Sequence, residues 1–225
     1  MEFNTGGSGG SGGSPSGGGL SGASGRASGG MDFDRSNPVE SFVQTARTVV
    51  LSPVRFYRGM RRSGDYLNPL LFAVICSVIA AVLAGLIGVV AALAGGSGVG
   101  NSLGAFVGGV ILQPIGTVIG LFIGAGIYHL LTMLLIKPNS GFEATLRVVA
   151  YASVVQLVSW IPLLGGLLAL YGVVLAVLGI REAHGSTTGR AVAVVLIPTA
   201  VFLLIGLLFF AALIALVLGT QSGGV

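Results

Sequence analysis

The side chains able to do acid–base, nucleophilic or metal chemistry are few in this 225-residue chain. It has two histidines, His129 and His184, one cysteine, Cys76, and one lysine, Lys137. There is no HExxH or CxxC spacing and no glycine-rich phosphate loop, and two histidines alone cannot complete an ordinary zinc site. Cys76 lies in an apolar stretch and has no second cysteine to pair with. The sequence therefore predicts no catalytic residue, no metal and no cofactor, and an enzyme is not expected.

One candidate polar site remains, formed by His129, Tyr151 and Gln156. These residues lie in two successive apolar stretches that a short loop joins, so the stretches would be antiparallel neighbours and the three side chains could converge. Polar groups at membrane depth are costly unless they are paired or wet. A histidine there is either a hydrogen-bonded packing residue or a proton or substrate site, and the sequence leaves both interpretations open.

Long apolar stretches must position these residues. The chain is 53% hydrophobic and only 8% charged, too little charge to cover a water-facing surface. At about 20 apolar residues per crossing, the sequence predicts five spans, at 69–94, 114–136, 142–160, 165–180 and 190–218. The predicted fold is therefore an all-α integral membrane bundle. Its membrane domain, residues 67–219, has five transmembrane helices preceded by a short amphipathic helix and followed by a short external tail at 220–225.

The N-terminal part has two sections of different composition. Residues 1–30 are rich in Gly and Ser, which predicts a disordered tail or linker because little apolar surface could be buried. Residues 31–66 predict a cytoplasmic, amphipathic and basic juxtamembrane segment suited to the headgroup layer. Its arginines are the candidate contacts to the membrane surface or to a partner: Arg55, Arg58, Arg61 and Arg62. The alternative interpretation is that they only orient the chain.

The distribution of basic residues predicts the topology. With five spans, the segment before the first span and the loops at 137–147 and 181–190 lie on one side, and together they hold every Lys and Arg after Arg26. Basic loops stay in the cytoplasm. We therefore expect the N-terminus inside and the C-terminus outside, in a bacterial cytoplasmic membrane. The net charge of +4 reflects this orientation pattern, and nucleic acid is not an expected partner.

Several short segments resemble the Yip domain family of five-span membrane proteins, in its bacterial branch. The segments are residues 65–70, 128–131, 141–153, 161–165 and 179–185. The most specific is Leu-Arg-Val-Val-Ala-Tyr-Ala at 146–152. The family-motif positions in this chain are Asp65, Pro69, Arg147, Tyr151, Pro162, Gly165 and Glu182. Many relatives carry a proline just after the Tyr-Ala-Ser element, where this chain has Val154 and Val155.

The resemblance implies a non-enzymatic membrane protein. Eukaryotic relatives bind prenylated Rab-type GTPases and act in vesicle trafficking, whereas the prokaryotic branch has no comparable settled role. We therefore expect an interaction or membrane-organising scaffold, in contact with lipid and with a protein partner or a second copy of the chain. The alternative is a small transporter or permease-like subunit that uses the polar site around the second and third spans.

Overall fold

The computed structural model describes residues 31–96, 98–161 and 163–222, with side chains up to residue 215. The predicted tail at 1–30, the family-motif position Pro162 and the last three residues lie outside this part of the chain. The predicted all-α class is confirmed. The helices are α1 Pro38–Leu51, α2 Pro53–Gly59, α3 Leu67–Ala94, α4 Val99–Leu135, α5 Phe142–Ala152, α6 Leu164–Ala183 and α7 Thr188–Ser222, with a 3-10 helix at Ser153–Val158.

The predicted count of five transmembrane helices is wrong if only continuous helices long enough to cross a membrane are counted. Four helices in the described residues, α3, α4, α6 and α7, are long and apolar enough to cross a bilayer. The predicted third span is instead divided between the 11-residue helix α5 and the 3-10 helix. The Ser153 hydroxyl, which donates to the Ala150 carbonyl at 2.6 Å, lies where the helix tightens. Hydropathy did not show this break because the residues on both sides of Ser153 are mainly apolar.

The two-part segment nevertheless runs antiparallel to α6 along that helix. Thr145 contacts His184 at one end, and Ser159 lies against Gly165 at the other. The loops before α5 and after α6 therefore share one end of the bundle, where the Ser140 hydroxyl donates to the Ala183 carbonyl at 2.7 Å. We call this end, which holds Asp65, Glu143 and Glu182, the charged end.

Helix α4 is longer than predicted. The predicted second span begins at residue 114, but the helix begins at Val99 and continues through Pro114 for 37 residues, or about 55 Å. The sequence of its Gly-rich first part suggests a short interfacial helix outside the span, but this part continues directly into the long helix. In lipid, few structures other than a helix satisfy the hydrogen bonds of every backbone N–H and C=O group. A membrane helix therefore continues through proline and glycine more readily than a helix in water.

Helices α1 and α2 form a hairpin, the N-terminal hairpin, which packs lengthwise against the bundle. At its tip the Tyr171 hydroxyl donates to the Val50 carbonyl at 2.6 Å, and at its base Arg58 pairs with Glu182 at 3.1 Å. Tyr171 and Glu182 are separated along α6 by about 16 Å. The hairpin therefore follows the α6 axis, whereas the sequence suggested a helix lying in the headgroup layer.

Aromatic rings fasten the hairpin to the membrane helices. Phe42 packs on Phe72 with ring centroids 5.1 Å apart, and Phe56 packs edge-on against Tyr151 at 4.9 Å. Phe72 and Tyr151 also contact each other, at 5.2 Å, so the rings form one continuous cluster. Phe56, Phe72 and Tyr151 are fully buried and Phe42 is partly buried, and the cluster joins α1, α2, α3 and α5.

Candidate functional site

The structure gives the three residues of the predicted polar site different contacts. His129 Nδ1 lies 3.2 Å from the Thr145 hydroxyl. The ring of Tyr151 belongs to the aromatic cluster. Gln156 lines an open groove beside α4, and its buried Oε1 has no hydrogen-bond partner within the described residues. His129 is thus joined to a residue that sequence reasoning did not select.

Both histidines of the chain meet at the hydroxyl of Thr145. On its other side this hydroxyl lies 3.1 Å from His184 Nε2. The Ser140 backbone N–H donates to His184 Nδ1 at 3.1 Å, so Nδ1 must be an unprotonated acceptor. A neutral His184 then carries its proton on Nε2 and donates it to Thr145, which leaves the Thr145 proton free to reach His129 Nδ1. We call this chain of hydrogen bonds the histidine–threonine relay.

The surroundings of His184 oppose its protonation. Its side chain is buried, and burial lowers the pKa of His184 to about 4, with smaller contributions from His129 and Arg62. A second proton on Nδ1 would also face the Ser140 N–H, donor against donor. From its place in the polar stretch 181–185, the sequence alone favours a solvated loop residue at His184, but the side chain is a buried neutral group that connects the α6–α7 loop to α5.

A buried ion-pair network is the most developed polar site at the charged end. Its centre is Arg147, which is 1% exposed and donates four hydrogen bonds. Two of these go to Glu143 Oε1, at 2.9 and 3.2 Å. The others reach Asp32 Oδ2 at 3.0 Å and the Asp65 carbonyl at 2.5 Å. We call this set of residues the Arg147 network.

The network joins three distant parts of the sequence. The Asp65 backbone N–H donates to Glu143 Oε1 at 2.9 Å, which fixes the start of α3 to α5. Asp32 also accepts the Arg61 backbone N–H, at 3.2 Å, so it ties the start of the described chain to the end of the hairpin. Burial raises the pKa of Asp32, and the Arg147 guanidinium opposes that shift.

One partner of Arg147 can be predicted from the sequence alone. Glu143 and Arg147 lie four residues apart, a spacing that favours an ion pair on a helix, and the pair is present at 2.9 Å. The position of Arg147 near the start of the predicted third span also suggests that it reaches toward lipid headgroups, but its side chain is fully enclosed. Asp32 was missed. The only available signal was an acidic residue shortly before a basic segment, and it does not identify a partner 115 residues away.

The four arginines selected from the sequence have different environments. Arg58 pairs with Glu182 at 3.1 Å, and Arg62 donates to the Glu182 carbonyl at 3.3 Å. Arg61 contributes its backbone N–H to Asp32. Arg55 is exposed near the hairpin tip and forms no ion pair with a described residue. The side chains of Arg58 and Arg62 are therefore bound to the bundle, whereas the exposed side chains of Arg55 and Arg61 form no ion pair with a described residue.

The remaining family-motif positions have steric or packing environments. Gly165 lies so close to the Ser159 carbonyl oxygen that a Cβ there would be 2.5 Å from it, so only glycine fits the turn into α6. Pro69 is buried in the first turn of α3, where its missing N–H costs nothing. Among the described residues, no group of three or more His, Cys, Asp or Glu side chains is placed to hold a metal ion.

Most of the large apolar side chains of α4 and α7 face outward, and four helices can cross a bilayer. These features define the chain as a polytopic helical membrane protein in contact with lipid. The family model described as Yip1 domain matches residues 47–220, well over half of the chain. The chain therefore belongs to the Yip1 domain family, and the resemblance seen in its sequence is confirmed. Comparison with curated proteins and with solved structures gives no match.

Proposed function

We propose that this protein is a non-enzymatic membrane scaffold that uses its charged end and N-terminal hairpin to contact a protein partner. The observation that carries the proposal is the Arg147 network. The guanidinium of Arg147 is paired with carboxylates and a carbonyl of the same chain, which is the arrangement of a structural anchor. The anchor holds the hairpin in one position while Arg55 stays exposed for contact.

The test is capture of partners from native membranes after mild crosslinking, compared between the native chain and Arg55→Ser. Arg190→Ser is the matched control, since Arg190 is also an exposed arginine near the charged end. We expect a specific partner to be recovered with the native chain and the control but strongly reduced with Arg55→Ser. Equal recovery from all three chains, or no crosslinked partner at all, would overturn the proposal.

The scaffold proposal includes an orientation, with the charged end in the cytoplasm. The support is that the basic segments before α3, before α5 and after α6 share this end. Cysteine labelling tests it, because the single native Cys76 is buried. A Ser186→Cys chain in sealed right-side-out vesicles should resist an impermeant maleimide until the membrane is opened. Immediate labelling would contradict the orientation.

A transporter is the second candidate, and Gln156 is the observation that favours it. Its side chain lines a groove of about 420 Å³ shared with Gln113, Thr117 and Ser159, and its buried Oε1 has no hydrogen-bond partner within the described residues. A polar groove between apolar helices is where a solute or proton could pass. Proton flux into proteoliposomes, measured with an entrapped pH dye, tests this function. Flux above protein-free vesicles that disappears in both Gln156→Leu and His129→Leu would favour transport over the scaffold.

A further inference from the structure

A second groove, between the N-terminal hairpin and α6, has the composition of a lipid site. We call it the α1–α6 groove, and it has a volume of about 350 Å³. Its walls are almost entirely apolar and include Val50 and Leu51 from α1, Val158 from the 3-10 helix and Leu168 from α6. Among the described residues that line it, Arg47 is the one that carries a charge.

The depth of the groove favours lipid as its occupant. Leu168 lies within α6, one of the four helices that can cross the bilayer. An outward-opening apolar groove on such a helix is surrounded by acyl chains. The hydroxyl of Tyr171, which also lines the groove, already donates to the Val50 carbonyl, so apart from Arg47 the groove presents little that a polar ligand could bind.

The charge at the groove favours an anionic lipid. Arg47 is exposed and forms no ion pair with any described residue. The one carboxylate of the hairpin, Glu40, accepts hydrogen bonds from the side chains of Asn37 and Gln44 and forms no ion pair with Arg47. The chain from residue 41 to residue 64 contains five arginines and no acidic residue. An unpaired arginine beside acyl chains is energetically unfavourable unless an anion binds it. Guanidinium groups bind phosphate oxygens through two parallel hydrogen bonds.

We propose that the α1–α6 groove binds one acyl chain of an anionic phospholipid whose phosphate is held by Arg47. The amphiphile matches both features of the site, because its chain fills the apolar walls and its phosphate neutralises the guanidinium. The assignment is independent of the scaffold function, since it concerns lipid and not a protein partner.

The chain contains its own probe for this lipid. Trp160 is its single tryptophan, and the indole N–H donates to the carbonyl of Leu157, a residue that lines the groove. Brominated acyl chains quench tryptophan fluorescence on contact. The experiment reconstitutes the full chain in phosphatidylcholine vesicles and titrates in brominated phosphatidylglycerol. A second titration uses brominated phosphatidylcholine in the same background.

We expect phosphatidylglycerol to quench Trp160 at about a fivefold lower mole fraction than phosphatidylcholine, the preference expected for one arginine near a membrane anion. Arg47→Gln should remove the preference by removing the phosphate contact. Val158→Phe should remove it by filling the groove. Arg190→Gln, which deletes an equal charge outside the groove, should retain it. Thermal unfolding of each variant confirms that it is folded.

Three results would overturn the assignment. Equal quenching of the native chain by both lipids would show no selectivity, and equal loss in Arg190→Gln and Arg47→Gln would show only general surface attraction. Competition by water-soluble glycerophosphoglycerol at the same concentration as the intact lipid would show a phosphate site without an acyl chain. Native mass spectrometry of the same vesicles adds a fourth arm, because a dimer that forms as phosphatidylglycerol is displaced would assign the groove to a second copy.

Discussion

Acidification tests the histidine–threonine relay, because His184 is held neutral in the fold. Its pKa is lowered from 6.5 to about 4 by burial, so between these values the unfolded chain binds a proton that the folded chain does not. Stability from this group is therefore complete above the unfolded pKa and is lost as the pH falls toward the folded pKa. At 1.36 kcal/mol per pKa unit, the loss is about 2 kcal/mol at pH 5 and approaches about 3 kcal/mol at lower pH.

The comparison is between the native chain and His184→Asn, which keeps an acceptor near the Ser140 N–H but cannot be protonated. Thermal unfolding in detergent is followed at pH 7.5 and at pH 5. For a chain of this size, about 2 kcal/mol corresponds to a fall in Tm of about 4–8 °C. The native chain should show this additional fall and the variant should not. Asp32, whose pKa is raised by burial, changes stability in the opposite direction but is present in both chains.

An equal fall in Tm for both chains between pH 7.5 and pH 5 would show that His184 is not held neutral by the relay. His129→Asn separates the two histidines, because it removes the far end of the relay and leaves the Ser140–His184 hydrogen bond in place. That variant should retain most of the acid sensitivity. If it loses the sensitivity instead, His129 and not His184 is the titrating group.

Three further changes test other contacts by thermal unfolding in detergent. Arg147→Met should lower the free energy of unfolding by about 3–5 kcal/mol because it leaves Asp32 buried without its cation. The loss should be smaller when Asp32→Asn is added, and additive losses would contradict the ion pair. Gly179→Ala should cost about 1–3 kcal/mol because its Cβ would overlap Val148, whereas Gly126→Ala meets no atom and should cost nothing; equal effects would refute the packing argument. Tyr171→Phe should cost about 1 kcal/mol and speed hydrogen exchange in the N-terminal hairpin; unchanged exchange would show that the tip is not held there.

The long spans could be predicted because hydropathy alone specifies them. The first and last spans, predicted at 69–94 and 190–218, correspond to the helices Leu67–Ala94 and Thr188–Ser222. The prediction of the third span as one continuous helix failed because hydropathy does not distinguish an α-helix from an α-helix that tightens into a 3-10 helix. The start of α4 failed because the Gly-rich residues 95–113 weaken helix propensity, a preference that the surrounding structure overrides.

The sites were harder to predict because their residues come from different elements. The pair of Glu143 and Arg147 could be predicted, since both lie on one helix four residues apart. The meeting of His129 with Thr145 depends on how α4 and α5 are rotated about their axes, which no local spacing fixes. The contact between Asp32 and Arg147 depends on the path of the whole hairpin, which no local sequence pattern specifies.

The position of these polar contacts follows from the environment of the N-terminal hairpin. Against apolar membrane helices, association gains little from the hydrophobic effect, because lipid tails are as apolar as the side chains they replace. Aromatic packing alone would therefore allow the hairpin to slide along α6. The Arg147–Asp32 and Arg58–Glu182 pairs fix its base, and the Tyr171–Val50 hydrogen bond fixes its tip. With its ends held, the hairpin becomes a stable wall for the α1–α6 groove, so the contacts that specify the fold also determine where a lipid or a partner can bind.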